Sequence, residues 1–187
     1  MVLSLKGSKT ASDYIDYDKA TVTAHKLLRT DKTKLMGLYI IVSINTGLRV
    51  SDVLKLTWEQ LLADNISLVE QKTKKDRVIA INDSIRDVLR HFYKTSGQVF
   101  LSQKNSVFTV QQINRKLKAI FCKEVKELNI SSHSLRKSFG RRVYENNNES
   151  EKALNFLSEL FNHTSLKVTR RYLGIRQEEL NNIYMNL

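Results

Sequence analysis

The 187-residue sequence contains no proline, a single cysteine and no long uninterrupted apolar run. Without proline no helix has to break on that account, so punctuation falls to Gly, Asn, Asp and Ser. The lone Cys122 excludes an internal disulfide and cannot make a zinc site by itself, which points to a reducing compartment. Its plain reading is a small buried apolar side chain. The longest apolar stretch, Leu35 to Ile44, is interrupted by Tyr39 and Ser43 and is far too short to cross a bilayer. Met1 to Leu5 does not extend into the apolar region of a signal peptide. The expectation is a soluble, cytoplasmic protein with no membrane partner. No internal repeat or low-complexity tract is present.

What is abundant is positive charge. Lys and Arg number 31 against 19 Asp and Glu, a formal charge of +12 with 41% hydrophobic residues, enough to build a substantial core at this length. Excess lysine can serve solubility alone, but so strong a field on so small a chain points to a polyanion, and nucleic acid is the natural one. Charge nominates a partner and no chemistry.

The hydrophobic pattern predicts a mainly α fold with a small antiparallel β-sheet. A leader of weak periodicity runs to about Tyr17, and Ala20, Val22, Ala24, Leu27 and Leu28 then suggest a first helix. Lys34 to Asn45 is apolar nearly all round, as in a central buried helix. Gly47 can end it as a left-handed cap and Ser51 is placed to cap the next, so the short link projects Arg49 between two helix ends. Ile66 to Gln71 and Arg77 to Ile81 read as a β-hairpin around the polar run Lys72 to Asp76. Ser84 is placed to cap a helix with Ile85, Val88, Leu89, Phe92 and Tyr93 inward. Thr109 and Gln112 form a capping box opening a long helix with Val110, Ile113, Leu117, Ile120, Phe121, Val125 and Leu128 inward. Further helices are expected around Ser134 to Glu145, Ser150 to Phe161, Leu166 to Leu173 and Gln177 to Tyr184.

Singly, the chemically interesting residues are ordinary. His133 and Arg136, three apart, would usually be a solvated helical pair, and Lys72 sits in a lysine-rich turn. Tyr172 is one of seven tyrosines. In order and in context they are not ordinary. Thr46-Gly47-Leu48-Arg49-Val50-Ser51-Asp52-Val53-Leu54-Lys55-Leu56-Thr57-Trp58 closely resembles the first arginine box of the tyrosine recombinases, the phage-integrase-type enzymes, and His133-Ser134-Leu135-Arg136-Lys137-Ser138-Phe139-Gly140 resembles their second. Asn162-His163-Thr164-Ser165 followed by Thr169-Arg170-Arg171-Tyr172-Leu173 resembles their closing segment, with a histidine nine positions ahead of the nucleophilic tyrosine. Lys72-Thr73 stands where the family carries its catalytic lysine. The resemblance runs from about Thr21 to Leu173. One departure is Phe161-Asn162 where the family usually has Leu-Gly, and Asn is the next best residue at a left-handed helix end.

The resemblance implies a tyrosine recombinase catalytic-domain fold over residues 18–187, with a tail helix at about 177–187, and shows no separate helical domain ahead of it. It implies a site made of Arg49, Lys72, His133, Arg136, His163 and Tyr172, acting on double-stranded DNA, with a free monomer assembling as a homotetramer on paired DNA sites. The chemistry suits these residue types. Two guanidiniums offer planar forks of donors to the oxygens of a phosphodiester as it gains charge, and His163 would add another hydrogen bond. A phenol with an ordinary pKa near ~10 needs a base or a strong positive field, and His133 is the candidate for that proton. Lys72 would protonate the departing 5′ oxygen, a task that Lys74 or Lys75 in the same turn could also take. A phosphotyrosine conserves bond energy, so no cofactor, ATP or metal is expected, and Asp52 by itself reads as bracing an arginine or capping a helix. The competing expectations are type IB topoisomerase-like DNA relaxation, a non-catalytic DNA-binding module and an RNA-binding helical domain.

Overall fold

A computed structural model describes residues 12–122, 128–175 and 184–186. In chain order it contains α1 (Tyr17–Leu28), α2 (Lys34–Thr46), α3 (Val50–Val53), α4 (Trp58–Leu62), β1 (Asn65–Val69), β2 (Asp76–Ala80), α5 (Asp83–Leu89), α6 (Val110–Phe121), α7 (Ser132–Asn146), α8 (Glu151–Phe161) and α9 (Leu166–Leu173). This is the mainly helical fold with a two-stranded antiparallel sheet that the sequence predicts.

The helix with no polar face, α2, is the centre of the molecule. Leu38, Ile40, Ile41, Val42 and Ile44 are at most 1% exposed, each such burial being worth roughly 1.5–3 kcal/mol. Helices α1, α3, α5 and α7 pack around it. A second, smaller apolar cluster of Tyr144, Leu154, Leu157, Phe161 and Leu173 joins α7, α8 and α9. Helix α7 belongs to both clusters, through Leu135 and Tyr144, and the seam between them is where the candidate residues meet.

Three local devices shape that seam. Gly47 ends α2 at φ +59°, and a Cβ there would lie 2.4 Å from the Phe139 ring, so both the backbone and α7 require glycine. Asn162 ends α8 in the left-handed region at φ 56°, as its sequence position predicts. The hairpin pairs Asn65 with Ala80 through Val69 with Asp76, placing the 70–75 turn beside the end of α2.

Several expectations need correction. Asn82, not Ser84, caps α5 by accepting from the Ile85 N–H, and α5 stops at Leu89, leaving Tyr93 96% exposed. Ser51 lies inside α3, whose N-cap Arg49 makes no side-chain capping bond to the helix. Val110 sits on the solvent-facing side of α6. Among the described residues Asp52 pairs with no arginine: its Oδ1 accepts the Gln71 N–H, tying the hairpin turn to α3. Residues 12–16 run along α7, with Ile15 buried and its N–H on the Ser138 hydroxyl. Val125 and most of the tail segment from Gln177 to Tyr184 lie outside the described residues.

Candidate active site

All six candidate residues, Arg49, Lys72, His133, Arg136, His163 and Tyr172, line one cleft of about 320 Å³, together with Thr73, Lys75, Phe161 and Asn162. They come from five places in the chain: the α2–α3 link, the hairpin turn, the first turns of α7, the end of α8 and the last turn of α9.

Arg136 is the deepest cation. It is 5% exposed, its guanidinium donates to the Gly47 carbonyl at 2.6 Å and lies 4.5 Å over the Phe161 ring. Burial pulls its pKa down to about 10, and among the described residues no carboxylate pairs with it. Arg49 donates to Glu70 Oε2 at 2.6 Å and to the Phe161 carbonyl at 3.2 Å. Those two bonds leave further donors of its fork available. Phe161 thus touches both arginines, and its ring meets Tyr172 edge-on at 5.3 Å.

The Tyr172 hydroxyl is buried and has no hydrogen-bond partner among the described residues. Burial pushes this phenol up to about 12, against the opposing pull of Arg136 and Arg49. Its ring packs 5.1 Å from that of His163, and the Lys137 ammonium lies 5.2 Å from its centroid while donating to the Ser12 carbonyl. His163 is oriented by a 3.0 Å bond between Nδ1 and the buried Thr169 hydroxyl. Partial desolvation, then Arg136 and Arg49, hold His163 below the usual imidazole value. His133, an exposed side chain at the cleft rim, is lowered in the same way, by desolvation and then by Arg136, Lys137, Lys72 and Arg49.

The lysines of the turn separate by geometry. Lys72 lines the cleft and makes no hydrogen bond or ion pair among the described residues. Lys75 also lines it, but donates to Asn162 Oδ1 at 3.2 Å. Lys74, at φ 56°, does not line the cleft.

Sequence reasoning missed Glu70 and Arg77. Glu70, 4% exposed, accepts from Arg49, from Arg77 at 2.7 Å and from the Thr73 hydroxyl at 2.7 Å. Burial alone would raise its pKa, but the bonds to Thr73, Arg77 and Arg49 bring it down to about 2. Strand alternation carried the signal: Glu70 continues the inward set Ile66 and Leu68, and Arg77 shares the inward side with Ile79 and Ile81. Among the described residues no three His, Cys, Asp or Glu groups converge on a metal position.

A cleft that joins a buried guanidinium, a second arginine, two imidazoles, two lysines and a buried phenol has the groups to bind an anion beside a nucleophile. The description "Phage integrase family" matches residues 20–179. The chain is 29% identical over 173 residues to tyrosine recombinase XerD of Lacticaseibacillus casei, covering 84% of this chain and 58% of that protein. It is 30% identical over 153 residues to a Bacillus subtilis (strain 168) protein named "Probable integrase/recombinase YoeC", covering 79% and 82%. Its fold is similar to that of the XerA recombinase crystal structure, with a TM-score of 0.68 at 18% identity over 96% of this chain and 65% of that one. The chain therefore spans little more than half of the XerD relative and most of the Bacillus one.

Proposed function

The chain belongs to the phage integrase family, and from that premise we propose that it cuts and rejoins double-stranded DNA at specific sites through a covalent link to Tyr172. The observation that carries this reading is the pairing, in one cleft, of a buried phenol hydroxyl and a buried guanidinium that, among the described residues, have no hydrogen-bond partner and no carboxylate respectively. Groups so costly to desolvate are completed by a ligand, and a phosphodiester offers both an electrophilic phosphorus and two anionic oxygens.

Arg136 and Arg49 hold the non-bridging oxygens, with His163 adding a hydrogen bond as charge accumulates there. The Tyr172 oxygen attacks phosphorus, forming the new O–P bond as the bond to the 5′ oxygen breaks and its electron pair leaves with that oxygen. The phenol proton passes to His133, whose lowered pKa keeps it neutral and able to accept near pH 7. Lys72 gives a proton to the 5′ oxygen, so a poor alkoxide leaves as an alcohol. The 3′-phosphotyrosine keeps the bond energy, and attack by a 5′ hydroxyl from a second strand reverses every step without ATP or a metal. Assembly of four subunits on paired sites from a free monomer belongs to the same proposal.

The test is covalent trapping. Incubated with a nicked duplex from which the cut fragment diffuses away, the protein should give a denaturant-resistant adduct, and Tyr172→Phe should bind the same DNA and give none. A normal adduct yield from Tyr172→Phe would overturn the assignment. Strand exchange between two duplexes separates recombination from relaxation of a single supercoiled circle.

A further inference from the structure

The two arginines of the cleft are held by different means, and the difference identifies a function for Glu70. Arg136 is fixed by a backbone carbonyl and an aromatic face. Arg49 is fixed by a buried carboxylate, and a carboxylate that simply neutralised it would cancel the charge a phosphate clamp needs. The structure resolves this with a second arginine. Glu70 gives Oε2 to Arg49 at 2.6 Å and Oε1 to Arg77 at 2.7 Å, so the trio keeps one net positive charge. Arg77 does not line the cleft, and its other nitrogen donates to the Thr46 carbonyl at 3.3 Å, anchoring the trio to the end of α2. The guanidinium that faces the cleft is thereby oriented without losing its field.

We propose that Glu70 is a positioning residue for Arg49, with Arg77 as the counter-cation that holds Glu70 and preserves the positive charge of the clamp. This rests on the reading of Arg49 as a phosphate ligand. The bond from Thr73 to Glu70 also ties the trio to the turn that carries Lys72, so the test has to separate an effect through Arg49 from one through the turn.

Glu70→Gln, which keeps the shape and removes the charge, is assayed for adduct formation on three nicked duplexes: an ordinary one, one with sulfur in place of the bridging 5′ oxygen, and one with a neutral methylphosphonate at the cut site. Sulfur leaves without a proton and bypasses Lys72; methylphosphonate lacks the charge that Arg49 meets. On ordinary DNA the rate should fall about ten- to a hundredfold, the scale of a misplaced catalytic group, with unchanged DNA affinity. The sulfur strand should show the same loss, and on the methylphosphonate the gap to wild type should shrink. Equal loss on all three substrates would make Glu70 a structural staple and overturn the proposal. Rescue by sulfur alone would move its action to Lys72, and wild-type rates would remove it altogether. If Glu70→Gln does not fold, Arg77→Gln, which leaves the Arg49 bond in place, should give a smaller loss with the same substrate pattern; equal loss on all three would again overturn the proposal. Wild-type protein and Tyr172→Phe in the same assay report on the underlying reading separately: no adduct from wild type, or a normal one from the tyrosine variant, indicts that reading and not Glu70.

Discussion

The residues of the cleft differ in how their charge is balanced, and that difference decides what each substitution should do. Lys72 and Lys75 both face the site, yet Lys75 is engaged by Asn162 while Lys72 makes no such bond. On the proposed reading of Lys72 as proton donor to the leaving oxygen, Lys72→Ala should lose activity on ordinary DNA and recover most of it on a strand with a bridging 5′ sulfur. Arg136→Ala, which fails at charge stabilisation, should not recover. The rescue pattern appearing in Lys75→Ala instead would transfer the role. Glu70 makes a separate prediction about stability. Its folded pKa, about 2, lies below the ordinary 4.5, so the folded form binds fewer protons, and the stabilisation is complete above 4.5 and lost as pH falls toward 2. Thermal unfolding followed over that window should fall less steeply with acid in Glu70→Gln than in wild type; parallel curves would contradict the assignment. The six cleft residues were legible because each sits in an ordered box of neighbours. Glu70 and Arg77 were not, because a hairpin strand announces its side only by alternation, and a charged residue on the inward side is easily read as solvated until its partners are seen.

At the scale of elements, the helices were legible wherever periodicity ran for three turns or more, and their ends less so. Ser84 and Asn82 are both good caps two residues apart, and only the Asn82 carboxamide reaches the Ile85 N–H. The face of α5 was extended to Tyr93 because the spacing continues there, whereas the helix closes at Leu89 and the chain turns outward. The α2–α3 link was read more securely, since Gly47 leaves few alternatives. It sets both the Arg49 position and the carbonyl that receives Arg136. Gly47→Ala adds left-handed strain and a Cβ 2.4 Å from the Phe139 ring, costing about 2–4 kcal/mol in combination. Unfolding measurements should show that loss together with reduced adduct formation, because Phe139 cannot retreat without moving α7 and with it His133 and Arg136. An unchanged melting temperature would mean that α7 is not pressed against the link. Asn162→Gly is the contrasting case: glycine suits φ 56° equally well, so the helix end should survive and only the Lys75 contact be lost.

For the whole molecule the governing quantity is the charge of +12 and where it is used. The buried carboxylate of Glu70 is shared by Arg49 and Arg77, and among the described residues no acidic side chain lines the cleft, so Arg49, Arg136, Lys72 and Lys75 give it a positive lining. Binding of a duplex by this chain should therefore be driven by phosphate contacts and the release of condensed counterions, with log affinity falling linearly in log salt. For on the order of four to eight phosphates, the slope should have a magnitude of about 4 to 7, and the affinity should drop steeply between low and physiological salt. Removing the Tyr172 hydroxyl leaves the charge untouched, so Tyr172→Phe should follow the wild-type line. If Arg136 meets a phosphate as proposed, Arg136→Ala should lower the slope by about 1, weakening binding to all sequences alike. Titrations of a labelled duplex at several salt concentrations measure both. An affinity independent of salt would show that the excess charge serves solubility rather than DNA, and an Arg136→Ala line superimposed on the wild type would show that its buried guanidinium does not meet a phosphate.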